Sequence, residues 1–142
     1  MIDEKDICVI SHPLLTYQKY YINDEVLTDK YFLFIGNIKR YKGLDFLFQS
    51  ISSLSDFQFI VAGKKNYQID INNMKNLKII NKFLDEYEFT KLVQNCKALL
   101  LPYKEINQSG ILYLAITMDI PVIISRLKPF VEILGDNYPF YF

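Results

Sequence analysis

The sequence predicts an α/β fold: a doubly wound, mainly parallel sheet with helices on both faces. Two observations predict it. Short apolar runs recur at residues 7–10, 31–36, 57–63, 77–80, 98–102 and 121–125, and several are apolar at every position rather than at alternate ones. Strands covered on both faces read that way, because both sides of the sheet need apolar cover. Segments with helical apolar spacing separate most of these runs, and strands that alternate with helices build a parallel sheet.

The elements follow in order. Residues 7–10 and 31–36 are the first two strands. Residues 43–54 form a helix, because Leu44, Leu47, Phe48, Ile51 and Leu54 recur on one helical face. The strand at 57–63 ends in "VAG". Residues 64–76 are polar and asparagine-rich, a long surface loop or a poorly formed helix. After the strand at 77–80, Asp85 stands as an N-cap with Glu88 three residues on, the pattern of a capping box. Phe89, Leu92, Val93 and Cys96 then make one apolar face. A strand at 98–102 leads to a mostly buried helix at 109–118, carried by Ile111, Leu112, Leu114, Ala115 and Met118. A strand at 121–125 and a short helix at 128–134 follow. The aromatic "NYPFYF" reads as a last strand whose covering partner is absent.

Composition narrows the function. The chain has 142 residues, suited to one domain, and is 51% hydrophobic with 11 Tyr and 11 Phe, enough for a substantial core. Sixteen basic residues balance sixteen acidic ones. No global field draws the protein to nucleic acid, so any anion site must be local. Cys8 and Cys96 sit among apolar neighbours and read as buried thiols in a reducing compartment. With His12 as the single histidine and no cysteine pattern for zinc, no metal site is expected. The acidic N-terminus is no signal peptide, and no apolar run reaches membrane-spanning length. The expectation is a cytoplasmic protein, with peripheral association at the inner membrane left open.

Ligands of open α/β sheets bind outside the carboxyl ends of the strands. There this sequence places "GNIKRYKG", with Lys39, Arg40 and Lys42, and later "NQSG", where Ser109 and Gly110 open a helix. Helix N-termini with free N–H groups favour phosphate. Each stretch has an ordinary reading as well: a solvated basic loop, and a serine N-cap. A GxGxxG dinucleotide fingerprint, a Walker A lysine motif and a GxSxG nucleophile elbow are all missing.

The order "YFLFIGNIKRYKGLDFLFQSI", "FQFIVAGK", "ALLLPYKEINQSGILYLAITMDIPVIIS", "FVEIL" resembles the C-terminal, donor-binding domain of GT-B glycosyltransferases of the family 4 type. The resemblance covers about residues 7–142. It implies a Rossmann-like domain, one half of a two-domain enzyme. Residues 1–25 would be the interdomain junction, and the N-terminal acceptor domain would lie outside this chain. It implies a nucleotide-diphosphate sugar as substrate, no cofactor, and hexosyl transfer in polysaccharide or glycolipid biosynthesis. The isolated chain would be inactive.

By the same resemblance, Lys39, Lys42, Gln108, Ser109 and Gly110 would bind the donor diphosphate. Gly36, Asn37 and Gly63 would shape the donor loop. Lys82, Phe83 and Leu84 would meet the nucleobase, and Glu105, His12 and Arg40 are further candidates. The family's paired glutamates fall here on Ile106 and Leu114, neither of them acidic, and Asp119 stands near the glycine common before "PV". The alternative to an enzyme is a non-catalytic nucleotide- or phosphate-binding module, or a structural α/β domain.

Overall fold

The structure, a computed structural model, describes residues 30–68 and 74–142. Cys8, His12, the strand expected at 7–10, the junction at 1–25 and part of the 64–76 loop lie outside the described residues.

Five parallel strands form one sheet: β1 (Tyr31–Ile35), β2 (Phe59–Ala62), β3 (Leu77–Ile80), β4 (Cys96–Leu101) and β5 (Val122–Ile124). Their spatial order is β3-β2-β1-β4-β5, so the chain reverses direction between β1 and β4. Among the described residues four helices connect or follow them: α1 (Leu44–Ile51), α2 (Glu86–Gln94), α3 (Gly110–Met118) and α4 (Lys128–Leu134).

Alternation along β1 shows why both faces need cover. Leu33, Phe34 and Ile35 are fully buried in succession, and successive side chains point to opposite faces. Phe32, with its register partner Phe59, lines a hollow under α1. Tyr31 points the other way, and its hydroxyl donates to the Leu92 carbonyl of α2 (2.9 Å). The two helices therefore cover opposite faces, as a doubly wound sheet requires.

Three boundaries differ from the sequence expectation. Helix α1 ends at Ile51 rather than at 54, where serines compete for the backbone. The Ser52 and Ser53 hydroxyls donate to the Gln49 and Ser50 carbonyls, each at 2.9 Å. Cys96 belongs to β4 and not to the α2 face: it pairs in register with Tyr31, and its thiol donates to the Val93 carbonyl (3.1 Å). Burial pushes that thiol up to about 12, so it is inert at ordinary pH. The expected last strand is a single parallel bridge, Ile124 to Tyr141, beside β5. There the half-exposed Phe142 ring stacks on Phe46 (5.8 Å) at the rim of the ≈ 360 Å³ apolar hollow.

Other local expectations match. Asp85 caps α2 in a full capping box: its carboxylate accepts from the Glu88 N–H (2.8 Å), and Glu88 accepts from the Asp85 N–H. Such a cap is worth about 1 kcal/mol. Asp119 ends α3 in the left-handed conformation (φ 56°). That is backbone a glycine would adopt freely.

Candidate functional site

The reversal of strand order between β1 and β4 is where a doubly wound sheet offers a crevice at the carboxyl ends of its strands, and two loops flank that place. The β1–α1 loop spans residues 36–43 and contains a 3-10 turn, Arg40–Lys42. The β4–α3 loop spans residues 102–109. They are locked together. The Lys104 N–H donates to the Tyr41 carbonyl (2.7 Å), and a Cβ on Gly43 would lie 1.8 Å from the Pro102 carbonyl oxygen. Gly43 also has φ 68°, so this close approach needs glycine twice over. On the other side, a Cβ on Gly63 (φ 142°) would lie 2.0 Å from the Gly36 carbonyl oxygen, so glycine lets the β1 and β2 ends meet.

The 3-10 turn sorts the three cations. Arg40 points away from the crevice and lies over the Tyr67 ring, 5.9 Å from its centroid. Lys39 is exposed. Lys42 turns inward and is only 8% exposed. Its ammonium lies 5.1 Å from the Tyr103 ring centroid and 5.8 Å from that of Phe34. A Cβ on Gly36 would be 3.5 Å from Lys42 Nζ, so the ammonium sits over that glycine. Burial, and then the nearby Lys39 charge, pull the Lys42 amine down to about 8. Among the described residues no carboxylate pairs with it.

The second wall carries the α3 N-terminus. Ser109 is 5% exposed, and its Oγ accepts from the Leu112 N–H (3.3 Å). Its oxygen thus serves as the N-cap, and its hydroxyl keeps a proton to donate. Burial raises the Tyr103 pKa, and Ser109 partly offsets that rise. Gln108 and Gly110 are exposed, and nothing lies within 4 Å of a Cβ placed on Gly110. Among the described residues, space is therefore open beside Gly110.

The remaining candidates scatter around this crevice. Asn37 is exposed on the first loop. Phe83, at 82% exposure, is the most open of the exposed large apolar side chains described, on the loop after β3, beside the half-buried Leu84. Lys82 forms an ion pair with Glu88, so its charge is already engaged. Glu105 is exposed, Ile106 packs against the core, and Leu114 at 1% exposure belongs to it. Leu114 is therefore a core residue that offers the site no acidic group. His12 lies outside the described residues.

Sequence reasoning missed Tyr103 and the pair formed by Lys104 and Asp45 (2.6 Å), which holds the first turn of α1 to the second loop. A tyrosine directly after "LLLP", where a strand of the switch point ends, was the available signal for Tyr103. Among the described residues no group of three or more His, Cys, Asp or Glu could hold a metal ion, and no helix is long and apolar enough to cross a membrane.

The comparisons with known proteins agree with this architecture. A solved structure of the Candida albicans trehalose-6-phosphate phosphatase N-terminal domain superposes with a TM-score of 0.58 at 11% identity, over 78% of this chain and 31% of that one. At that identity the likeness shows the fold alone, and this chain spans about a third of that protein's length. No curated protein matches the chain. The family described as "Glycosyl transferases group 1" matches residues 29–140, nearly all of the described structure. The chain thus belongs to the group 1 glycosyltransferases.

Proposed function

We propose that this chain is the donor-binding domain of a two-domain GT-B glycosyltransferase, and that the crevice between β1 and β4 takes the diphosphate of a nucleotide sugar. The observation that carries this reading is Lys42, a buried ammonium with no ion-pair partner among the described residues, on the loop facing the one that opens α3. A buried charge is unfavourable unless something neutralises it. A diphosphate supplies that neutralisation and gains hydrogen bonds to charged donors.

In this reading Lys42 and Lys39 hold the diphosphate from one wall. The Gln108–Gly110 backbone and the N–H groups opening α3 hold it from the other. Gly36, Asn37 and Gly63 leave room for the close approach, and Phe83 offers a flat apolar face to the nucleobase. As the sugar departs, negative charge grows on the diphosphate, and preorganised cations and N–H groups stabilise it. The domain's contribution to hexosyl transfer is electrostatic and uses no cofactor. The acceptor, a polysaccharide or glycolipid intermediate, would be presented by a second domain, in the cytoplasm or at the inner membrane surface. The isolated chain would bind donor weakly and turn over little or none.

A second reading, a binding module without catalysis, is favoured by the burial of Leu114, because a core leucine offers the ribose hydroxyls nothing. Titration of UDP and GDP into the purified chain and into Lys42→Ala tests the first step. The proposal expects saturable binding of one nucleotide that Lys42→Ala weakens at least about tenfold. No binding, or binding indifferent to Lys42, overturns it. Sugar transfer by the chain joined to an acceptor domain then separates enzyme from module.

A further inference from the structure

We propose that Tyr103 is a positioning residue for this site: from the β4–α3 loop its ring seats the Lys42 ammonium of the β1–α1 loop over Gly36. One side chain thereby ties the two walls together at the lysine. The inference rests on the reading that the crevice binds a nucleoside diphosphate.

The placement is specific. Tyr103 is 3% exposed and stands just past the end of β4, after Pro102. Its ring is fixed by Tyr41, edge-on at 6.2 Å and 79°, and by Phe130, tilted at 5.9 Å and 50°. Tyr41 belongs to the first loop and Phe130 to α4, so two further elements hold the ring still. Against this fixed ring lies the Lys42 ammonium, with Phe34 on a second side. Among the described residues, Lys39 is the charged group that bears on it.

An aromatic seat differs in kind from a carboxylate seat. A carboxylate would fix the ammonium but neutralise it, and a phosphate would have to displace that partner. A ring face attracts the cation through its quadrupole and leaves the full charge for a ligand. Tyr103 touches the lysine without needing contact with the ligand, and it acts through that ammonium.

The test uses Tyr103→Phe, which keeps the ring and loses the hydroxyl, and Tyr103→Leu, which loses both. Tyr103→Met stands in if the leucine variant does not fold. Two quantities are read on each folded protein: the affinity for UDP and GDP, and the titration midpoint of the Lys42 ε-carbon signal by NMR without ligand. The wild-type midpoint is expected near 8. The leucine variant should lower that midpoint and weaken nucleotide binding about tenfold. The phenylalanine variant should keep the midpoint and bind within about threefold of wild type. Leucine matching wild type in both quantities overturns the assignment, and so does phenylalanine failing as badly as leucine. A wild type that binds neither nucleotide sinks the donor reading instead. A wild type that binds, with leucine binding equally well, sinks only the role of Tyr103.

Discussion

Two lysines at the rim of one crevice live under opposite rules. Lys104, on the β4–α3 loop, is half exposed and donates to the Asp45 carboxylate at 2.6 Å. That bond holds the Asp45 carboxyl below the usual carboxylate range. Lys42, on the β1–α1 loop, is buried against two aromatic rings and has no ion-pair partner among the described residues. A lysine kept for structure pairs at the surface, where water shares the work and little stability is at stake. A lysine buried unpaired lowers stability, and under the proposed function a ligand brings its counter-charge. The two lysines stand on opposite walls, far apart in sequence, one paired at the surface and one buried.

The comparison can be broken first at the joint that holds the two loops together. In Gly43→Ala the added methyl meets the Pro102 carbonyl at 1.8 Å in a backbone with φ 68°. The expected loss is about 3 kcal/mol or more, read from the urea midpoint. A loss below about 1 kcal/mol would show that the two walls are not locked by this contact.

The next effect concerns pH. The folded Lys42 value, about 8, lies below the ordinary lysine value of 10.5. Between those values the unfolded chain holds a proton that the folded chain has released, so this group's contribution to stability rises with pH. Cys96 and Tyr103 act with the opposite sign, because their folded values are raised and their contributions fall as pH climbs. The difference between wild type and Lys42→Met cancels those terms. The variant's stability advantage should shrink steadily from pH 8 to pH 10.5. An advantage constant over that window would mean that Lys42 titrates normally. Nucleotide binding to wild type should weaken over the same rise, as the ammonium loses its proton.

Smaller effects sharpen the contrast. Asp119→Gly relieves a left-handed residue at the end of α3 and should add about 0.5–1 kcal/mol, seen as a higher melting temperature. Lys104→Ala should change stability by less than about 0.5 kcal/mol in a denaturant titration, as expected for an exposed pair. A larger loss would erase the distinction between the two lysines.

The parts legible in the sequence were those governed by near neighbours. Continuous apolar runs announced β1 and β4, helical spacing announced α1 and α3, and the Asp85–Glu88 cap was readable because its partners stand three residues apart. The loop of Lys39, Arg40 and Lys42 was placed at the ligand end of the sheet for the same reason. What stayed hidden depends on contacts across long stretches of chain. Tyr103 gains its meaning from Lys42, and Asp45 finds Lys104 across 59 positions. Cys96 was assigned to the helix because its spacing fits a helical face, but pairing with Tyr31 draws it into the sheet. The resemblance set Lys42, directly before Gly43, apart from Arg40. The turn of the 3-10 segment gives the physical side of that difference, sending one side chain to Tyr103 and the other to Tyr67.

The most direct measurement is a paired one on Lys42→Met: its melting temperature without ligand, and its affinity for UDP and GDP. A buried charge kept for a diphosphate predicts opposite signs. The melting temperature should rise by about 2–6 °C, while nucleotide affinity falls by about tenfold to a hundredfold. A variant that melts lower than wild type and still binds nucleotide as tightly would contradict the claim that Lys42 is held in the crevice for an anion.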